Sequence, residues 1–197
     1  MNLANKLTVF RILLVPIMAI IPYLNLQGSF YGFSYTYFWM LLIFIVASIT
    51  DKLDGYIARS RNQVTTFGKF LDPLADKILV LTAMVLLVEL EKIPALIPII
   101  VLAREFLVSG YRLIAVEKGG KVIAASIWGK LKTVTQMLAI ILVMFDLNSF
   151  AECFKGTLTG AEYGLNLLAT VMLLISVVAT IFSGIDYMKN GKELLKD

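Results

Sequence analysis

The sequence predicts an all-α, polytopic membrane protein: six transmembrane helices in one bundle and a short N-terminal interfacial helix, with residues 1–197 forming a single membrane domain. Three observations carry this expectation. The chain is 59% hydrophobic and 16% charged, with a mean hydropathy of +0.84, too little polar surface for a soluble domain of its length. Its apolar residues gather in six runs, at 8–25, 35–58, 74–90, 94–116, 129–146 and 163–187. A helix needs about 20 such residues to cross a bilayer. Finally, if the N-terminus is cytosolic, all but Lys92 and Lys155 of the 18 basic residues fall on the cytosolic side or near that end of a span.

Taken in order, Leu3, Leu7 and Phe10 share one side of an opening helix and Lys6 another, the pattern of an interfacial segment. The first apolar run is followed by further spans and lacks a small-residue cleavage site, so it reads as retained. The aromatic run "FYGFSYTYF" at 30–38 sits where the second span begins, as interfacial Tyr and Phe do. Lys118 and Lys121, in a polar loop after the fourth run, suit anchoring at the cytosolic face. The outer segments carry Glu89, Glu91, Glu152 and Glu162, and the tail "KNGKELLKD" suits a charged membrane face. Six spans then put both termini in the cytosol of a cell whose plasma membrane holds the chain. The lone Cys153 rules out an intramolecular disulfide, no histidine is available to catalysis, and no phosphate-cradling G-x-x-x-x-G-K-[ST] loop is present.

Chemistry concentrates in "ASITDKLDGYIARSRNQVTTFGKFLDPLADKIL", residues 47–79. At 3.6 residues per turn, Asp51, Asp54, Gly55 and Ala58 fall within an arc of about 100°. Asp72 and Asp76, four apart, share a face of the next helix, which the sequence starts near Pro73. Four carboxylates gathered beside apolar spans would repel and resist desolvation, so they must protonate or find cations. Divalent metal is the economical answer, since carboxylate oxygens suit Mg²⁺, Mn²⁺ or Ca²⁺ and a metal pair neutralises attacking and leaving oxygens in phosphoryl chemistry. Gly55, Ala58 and Gly68 leave room for a ligand to approach the backbone, and Arg59, Arg61 and Lys69 add positive charge. Single aspartates at such positions also end spans or cap helices, and intramembrane aspartates also mark ion pathways, so a cation transporter remains an alternative.

The run Asp51-x2-Asp54-Gly55-x2-Ala58-Arg59-x8-Gly68-x3-Asp72-x3-Asp76 resembles the signature of the CDP-alcohol phosphatidyltransferase family, with every fixed position filled. That resemblance implies a six-helix membrane enzyme, commonly a homodimer, which moves a phosphatidyl group from a CDP-linked lipid to an alcohol and releases CMP. It also implies two divalent cations, Mg²⁺ or Mn²⁺, held by Asp51, Asp54, Asp72 and Asp76, with Asp76 as general base. Asp54, Gly55, Ala58, Arg59, Gly68 and Asp72 are then the residues expected against the CDP-lipid. No nucleic acid is expected as a partner.

A second cluster lies in "LAREFLVSGYRLIAVEKGGKVIAASIWGKLKT", residues 102–133. Arg104 and Arg112 are eight apart, about 80° in helical projection, and Lys130 and Lys132 open the next helix. Basic residues from two helices suggest an anion site, read here as the acceptor's phosphate. Arg104 lies inside an apolar run, where it needs a partner such as Glu105 or a ligand. "ARE", "YR", "AAS" and "GKLKT" with Gln136 resemble the branch of the family that uses glycerol-3-phosphate, which implies CDP-diacylglycerol and glycerol-3-phosphate as substrates; inositol phosphate, serine or phosphatidylglycerol are the alternative acceptors. The opening "NLANKLTVFRILLVP" also resembles the family's start, and Thr8 and Arg11 suit either donor phosphates or plain anchoring. They are not counted among the expected site residues.

Overall fold

A computed structural model describes residues 2–30, 33–60, 65–117 and 127–191. Each of the six apolar runs becomes one long helix: α1 Leu3–Ile20, α2 Tyr35–Ser60, α3 Thr66–Glu89, α4 Leu96–Glu117, α5 Ile127–Phe145 and α6 Gly160–Asn190. A two-residue antiparallel pairing, β1 Ser29–Phe30 with β2 Phe33–Ser34, connects α1 to α2 and is too short to form a layer. Among the described residues, four segments are long and apolar enough to cross a membrane: Leu3–Leu24, Tyr35–Ile57, Ile127–Phe145 and Gly160–Lys189. The other two helices are comparably long but carry charge in their bodies, α3 with Lys69, Asp72, Asp76 and Lys77 and α4 with Arg104, Glu105 and Arg112. The protein is therefore mostly helical and membrane-embedded.

The chain forms two compact units, Met1–Leu90 and Glu91–Asp197. In the first, α1 packs along both α2 and α3. Its helix starts at Asn2, whose side chain accepts the Asn5 N–H at 2.9 Å. No break separates the residues expected to form an interfacial helix from the rest of α1, which runs on through Pro16. Met18, Met40, Phe44, Ala75, Leu79, Ala83 and Met84 are fully buried. A turn of 3₁₀ helix at Ile21–Leu24 ends with Asn25 in the left-handed region at φ 45°, a conformation that asparagine tolerates better than most residues.

The start of α3 differs from the sequence expectation. Thr65, not Pro73, begins it: the Thr65 hydroxyl accepts the Gly68 N–H at 3.0 Å, and Pro73 falls inside the helix. A proline there removes one backbone hydrogen bond without ending the helix, because capping and packing upstream outweigh that loss.

In the second unit α6 packs along α5 most extensively and along α4. One face of α6 is polar and buried, with Asn166, Thr170, Ser176, Thr180 and Ser183 each at most 2% exposed. The second unit also contains a polar knot where the segment before α4 meets the end of α5. Lys92 is buried, and its ammonium donates to the carbonyls of Asp146 at 3.2 Å and Leu147 at 2.5 Å, capping the end of α5. Buried Asn166 donates to Asp146 Oδ2 at 2.6 Å and to the Ser149 carbonyl at 2.9 Å.

Candidate active site

The buried side of α1 carries Asn5, Thr8 and Arg11, spaced three apart, and this stripe is what meets the aspartates. Arg11 is 0% exposed. Its guanidinium reaches two carboxylates of α2: Nη1 lies 2.7 Å from Asp51 Oδ1, and Nη2 donates to Asp54 Oδ2. Asp54 is itself buried, and Asp51 is more open. One turn earlier on α1, the Thr8 hydroxyl donates to Asp72 Oδ1 at 2.7 Å, with Asp54 Oδ2 3.4 Å from the same oxygen. Three of the four expected carboxylates, from two helices, thus converge on one guanidinium and one hydroxyl. Asp76, half-buried, follows Asp72 by one helical turn.

Asn5 completes the stripe by packing against the start of α3. The Thr65 hydroxyl donates to Asn5 Oδ1 at 3.0 Å, and a Cβ on Gly68 would come within 2.9 Å of that same oxygen. Glycine is required here by close approach rather than by backbone angle. Gly55 is half-buried on α2. The side chains of Ala58, Arg59 and Lys69 lie outside the described residues, as do Arg61, Lys118 and Lys121.

Among the described residues no three carboxylate, imidazole or thiol groups form a ready-made metal cage. Arg11 occupies oxygens of two of the aspartates. The donor set nevertheless fits a divalent ion: every candidate ligand is a hard carboxylate oxygen, and among the described side-chain contacts Asp51, Asp54 and Asp72 outnumber the one guanidinium that pairs with them. That excess negative charge in an apolar surrounding calls for further positive charge.

The basic cluster is assembled within the second unit. Arg104 of α4 pairs with Glu105 at 2.9 Å and donates to Ser183 of α6 at 2.5 Å, while Lys132 of α5 reaches the same Glu105 oxygen at 2.5 Å. Arg112, about two turns further along α4, donates to the Tyr187 hydroxyl from Nη2 at 3.0 Å and from Nε at 3.3 Å. The Tyr187 ring is shared, with the Arg104 and Arg112 guanidinium carbons 5.9 and 5.7 Å from its centroid. Arg104, Arg112 and Lys132 therefore gather around Glu105 and Tyr187, and Lys130 is exposed outside that group. Among the described residues the buried Nε of Arg104 has no acceptor.

Thr8 and Arg11, which the sequence reading set aside, prove integral to the acidic site, and Ser183 and Tyr187 to the basic one. A usable signal existed for the latter pair: Ser176, Thr180, Ser183 and Tyr187 recur at helical spacing through an apolar run.

Helices long and apolar enough to cross a bilayer, aspartates gathered on Arg11 and Thr8, and arginines held by Glu105 and Tyr187 within the second unit fit a membrane enzyme. The chain matches the CDP-alcohol phosphatidyltransferase family over residues 1–182 and belongs to it. It is similar to the CDP-diacylglycerol--glycerol-3-phosphate 3-phosphatidyltransferase of Bacillus subtilis (strain 168), 38% identical over 205 residues covering 99% of this chain and 97% of the relative. The enzyme of the same name from Haemophilus influenzae is 38% identical, covering 100% of this chain and 96% of its own. A probable phosphatidylglycerophosphate synthase of Mycobacterium tuberculosis is 34% identical over 95% of this chain and 80% of its own.

Proposed function

We propose that the protein transfers the phosphatidyl group of CDP-diacylglycerol to a hydroxyl of glycerol-3-phosphate, giving phosphatidylglycerophosphate and CMP. The observation that carries this reading is the convergence of Asp51, Asp54 and Asp72 on Arg11 and Thr8, in a chain whose near full-length relatives bear that enzyme's name. Asp51, Asp54, Asp72 and Asp76 would hold two divalent cations, Mg²⁺ or Mn²⁺, which when bound neutralise diphosphate charge and make CMP a better leaving group. The acceptor oxygen forms the new bond to phosphorus, the bond from phosphorus to the CMP oxygen breaks, and the hydroxyl proton passes to the Asp76 carboxylate. A nearby carboxylate is the right class of base for a hydroxyl that is a poor nucleophile at neutral pH. Gly55, Ala58, Arg59 and Gly68 serve the nucleotide side of the donor.

The acceptor's phosphate is assigned to Arg104, Arg112, Lys130 and Lys132. Their support is chemical: guanidinium forks and ammonium groups are the usual partners of phosphate, and three of the four already sit together. The protein works as a homodimer in the plasma membrane, with its termini and site at the cytosolic face; the distribution of basic residues supports the orientation, and family resemblance supports the dimer.

The test is CMP release by purified protein in detergent, given CDP-diacylglycerol and Mg²⁺ or Mn²⁺, with and without glycerol-3-phosphate. Release that requires both metal and glycerol-3-phosphate is expected. Release only with another alcohol would replace the acceptor, and no release with any alcohol, alongside metal flux in liposomes, would favour a transporter.

A further inference from the structure

Arg11 stands in an unusual position for a residue of an acidic phosphoryl-transfer site. A guanidinium keeps its proton at any relevant pH, so its charge is fixed. Here it is 0% exposed within a span and bound to Asp51 and Asp54, two of the carboxylates that the proposed reaction assigns to metal. Thr8, on the same face of α1, holds Asp72. A helix that supplies none of the expected ligands thus has its polar atoms on three of them.

We infer that Arg11 is an internal counter-cation that competes with divalent metal for Asp51 and Asp54 and so sets how tightly the site binds it. The inference rests on the metal-dependent reading proposed above. Two observations give it force. A divalent ion that takes the oxygens now facing Arg11 must break an ion pair and then sit beside a fixed positive charge, and both effects oppose binding. Moreover, the guanidinium is incompletely satisfied: among the described residues Nε has no acceptor, and Nη1 lies close to Asp51 but out of line for a hydrogen bond. The pair is a contact that metal can displace, rather than a saturated fork.

Mn²⁺ alone, titrated calorimetrically into the full-length protein in detergent, tests this without turnover. Arg11→Gln is expected to bind Mn²⁺ about tenfold more tightly than the parent, or more, since removing one neighbouring charge is worth at least about 1.4 kcal/mol at these distances. Its thermal midpoint without added metal falls below the parent's, and its upward shift on adding Mn²⁺ is larger. Arg11→Lys keeps the charge but cannot span two carboxylates, so its Kd falls between the two and decides the matter should Arg11→Gln fail to fold. Parent-like or weaker Mn²⁺ binding in both variants would overturn the inference while leaving the metal-dependent reaction standing. No Mn²⁺ binding by the parent at all would overturn the reaction's metal requirement and the inference with it.

Discussion

Tyr187→Phe removes one oxygen and keeps the ring, so it isolates how much of the acceptor site depends on positioning. In the native protein that oxygen accepts two N–H groups of Arg112, at 3.0 and 3.3 Å, while the buried ring faces Arg104 and Arg112 at 5.9 and 5.7 Å. A hydrogen bond involving a charged group is worth about 1.5–3 kcal/mol, and Arg112 is exposed enough for water to return part of it. The net loss is about 1 kcal/mol, which corresponds to about a fivefold change in an equilibrium constant. In a steady-state assay of CMP release with both substrates varied, the Michaelis constant for glycerol-3-phosphate rises about fivefold, and the constant for CDP-diacylglycerol stays within twofold. Arg112→Ala raises the acceptor constant further, and Tyr187→Ala exceeds Tyr187→Phe because each cation–ring contact adds about 0.5–1 kcal/mol. An unchanged acceptor constant in both Tyr187→Phe and Arg112→Ala would return Arg112 to membrane anchoring and refute the positioning argument.

Other expectations follow from the same contacts. Asp76→Asn abolishes turnover while CDP-diacylglycerol binding stays measurable by calorimetry; parent-like turnover would remove Asp76 from the general-base role. Gly68→Ala drives a methyl against Asn5 Oδ1 and lowers stability by about 1–3 kcal/mol, read as a lower thermal midpoint, and adding Asn5→Ala recovers part of the loss. Lys92 supplies a pH signature: burial holds its ammonium below the ordinary value of 10.5, against the opposing pull of Asp146 and Glu152. The folded state therefore releases this proton first, so stability rises with pH between the lowered value and 10.5. Lys92→Met loses that contribution, and thermal midpoints measured across this range rise less steeply than the parent's. Identical slopes would place the effect elsewhere.

The helices were legible because each is built around a mostly apolar run, though charge within α3 and α4 leaves those two short of the apolar length of a span, and the aspartates were legible because they interrupt such runs at helical spacing. What α1 contributes was not. Arg11 and Thr8 suit donor phosphates or plain anchoring equally until their partners are known, and those partners lie 43 and 64 residues away, beyond any local pattern. The beginning of α3 was misplaced because proline is a loud local signal, whereas Thr65 acts through one hydroxyl on one N–H. Lys92 stood out as an exception to the charge distribution. Its reason is burial against the end of α5, which only the folding of a loop onto a helix terminus creates.

The pairing of Arg11 with Asp51 and Asp54 also has a consequence for how the protein is made. The first apolar segment leaves the ribosome with a charge that it cannot shed, and an arginine at the centre of a lone helix costs about 2.5–3.5 kcal/mol on insertion scales. Its countercharges are synthesised 40 and 43 residues later, at the far end of the second span. Entry of the two helices as a hairpin, with the arginine neutralised before it meets lipid, removes that cost. A nascent chain halted before Asp51 is expected to integrate less efficiently than one halted after Asp54, and Arg11→Leu abolishes the difference.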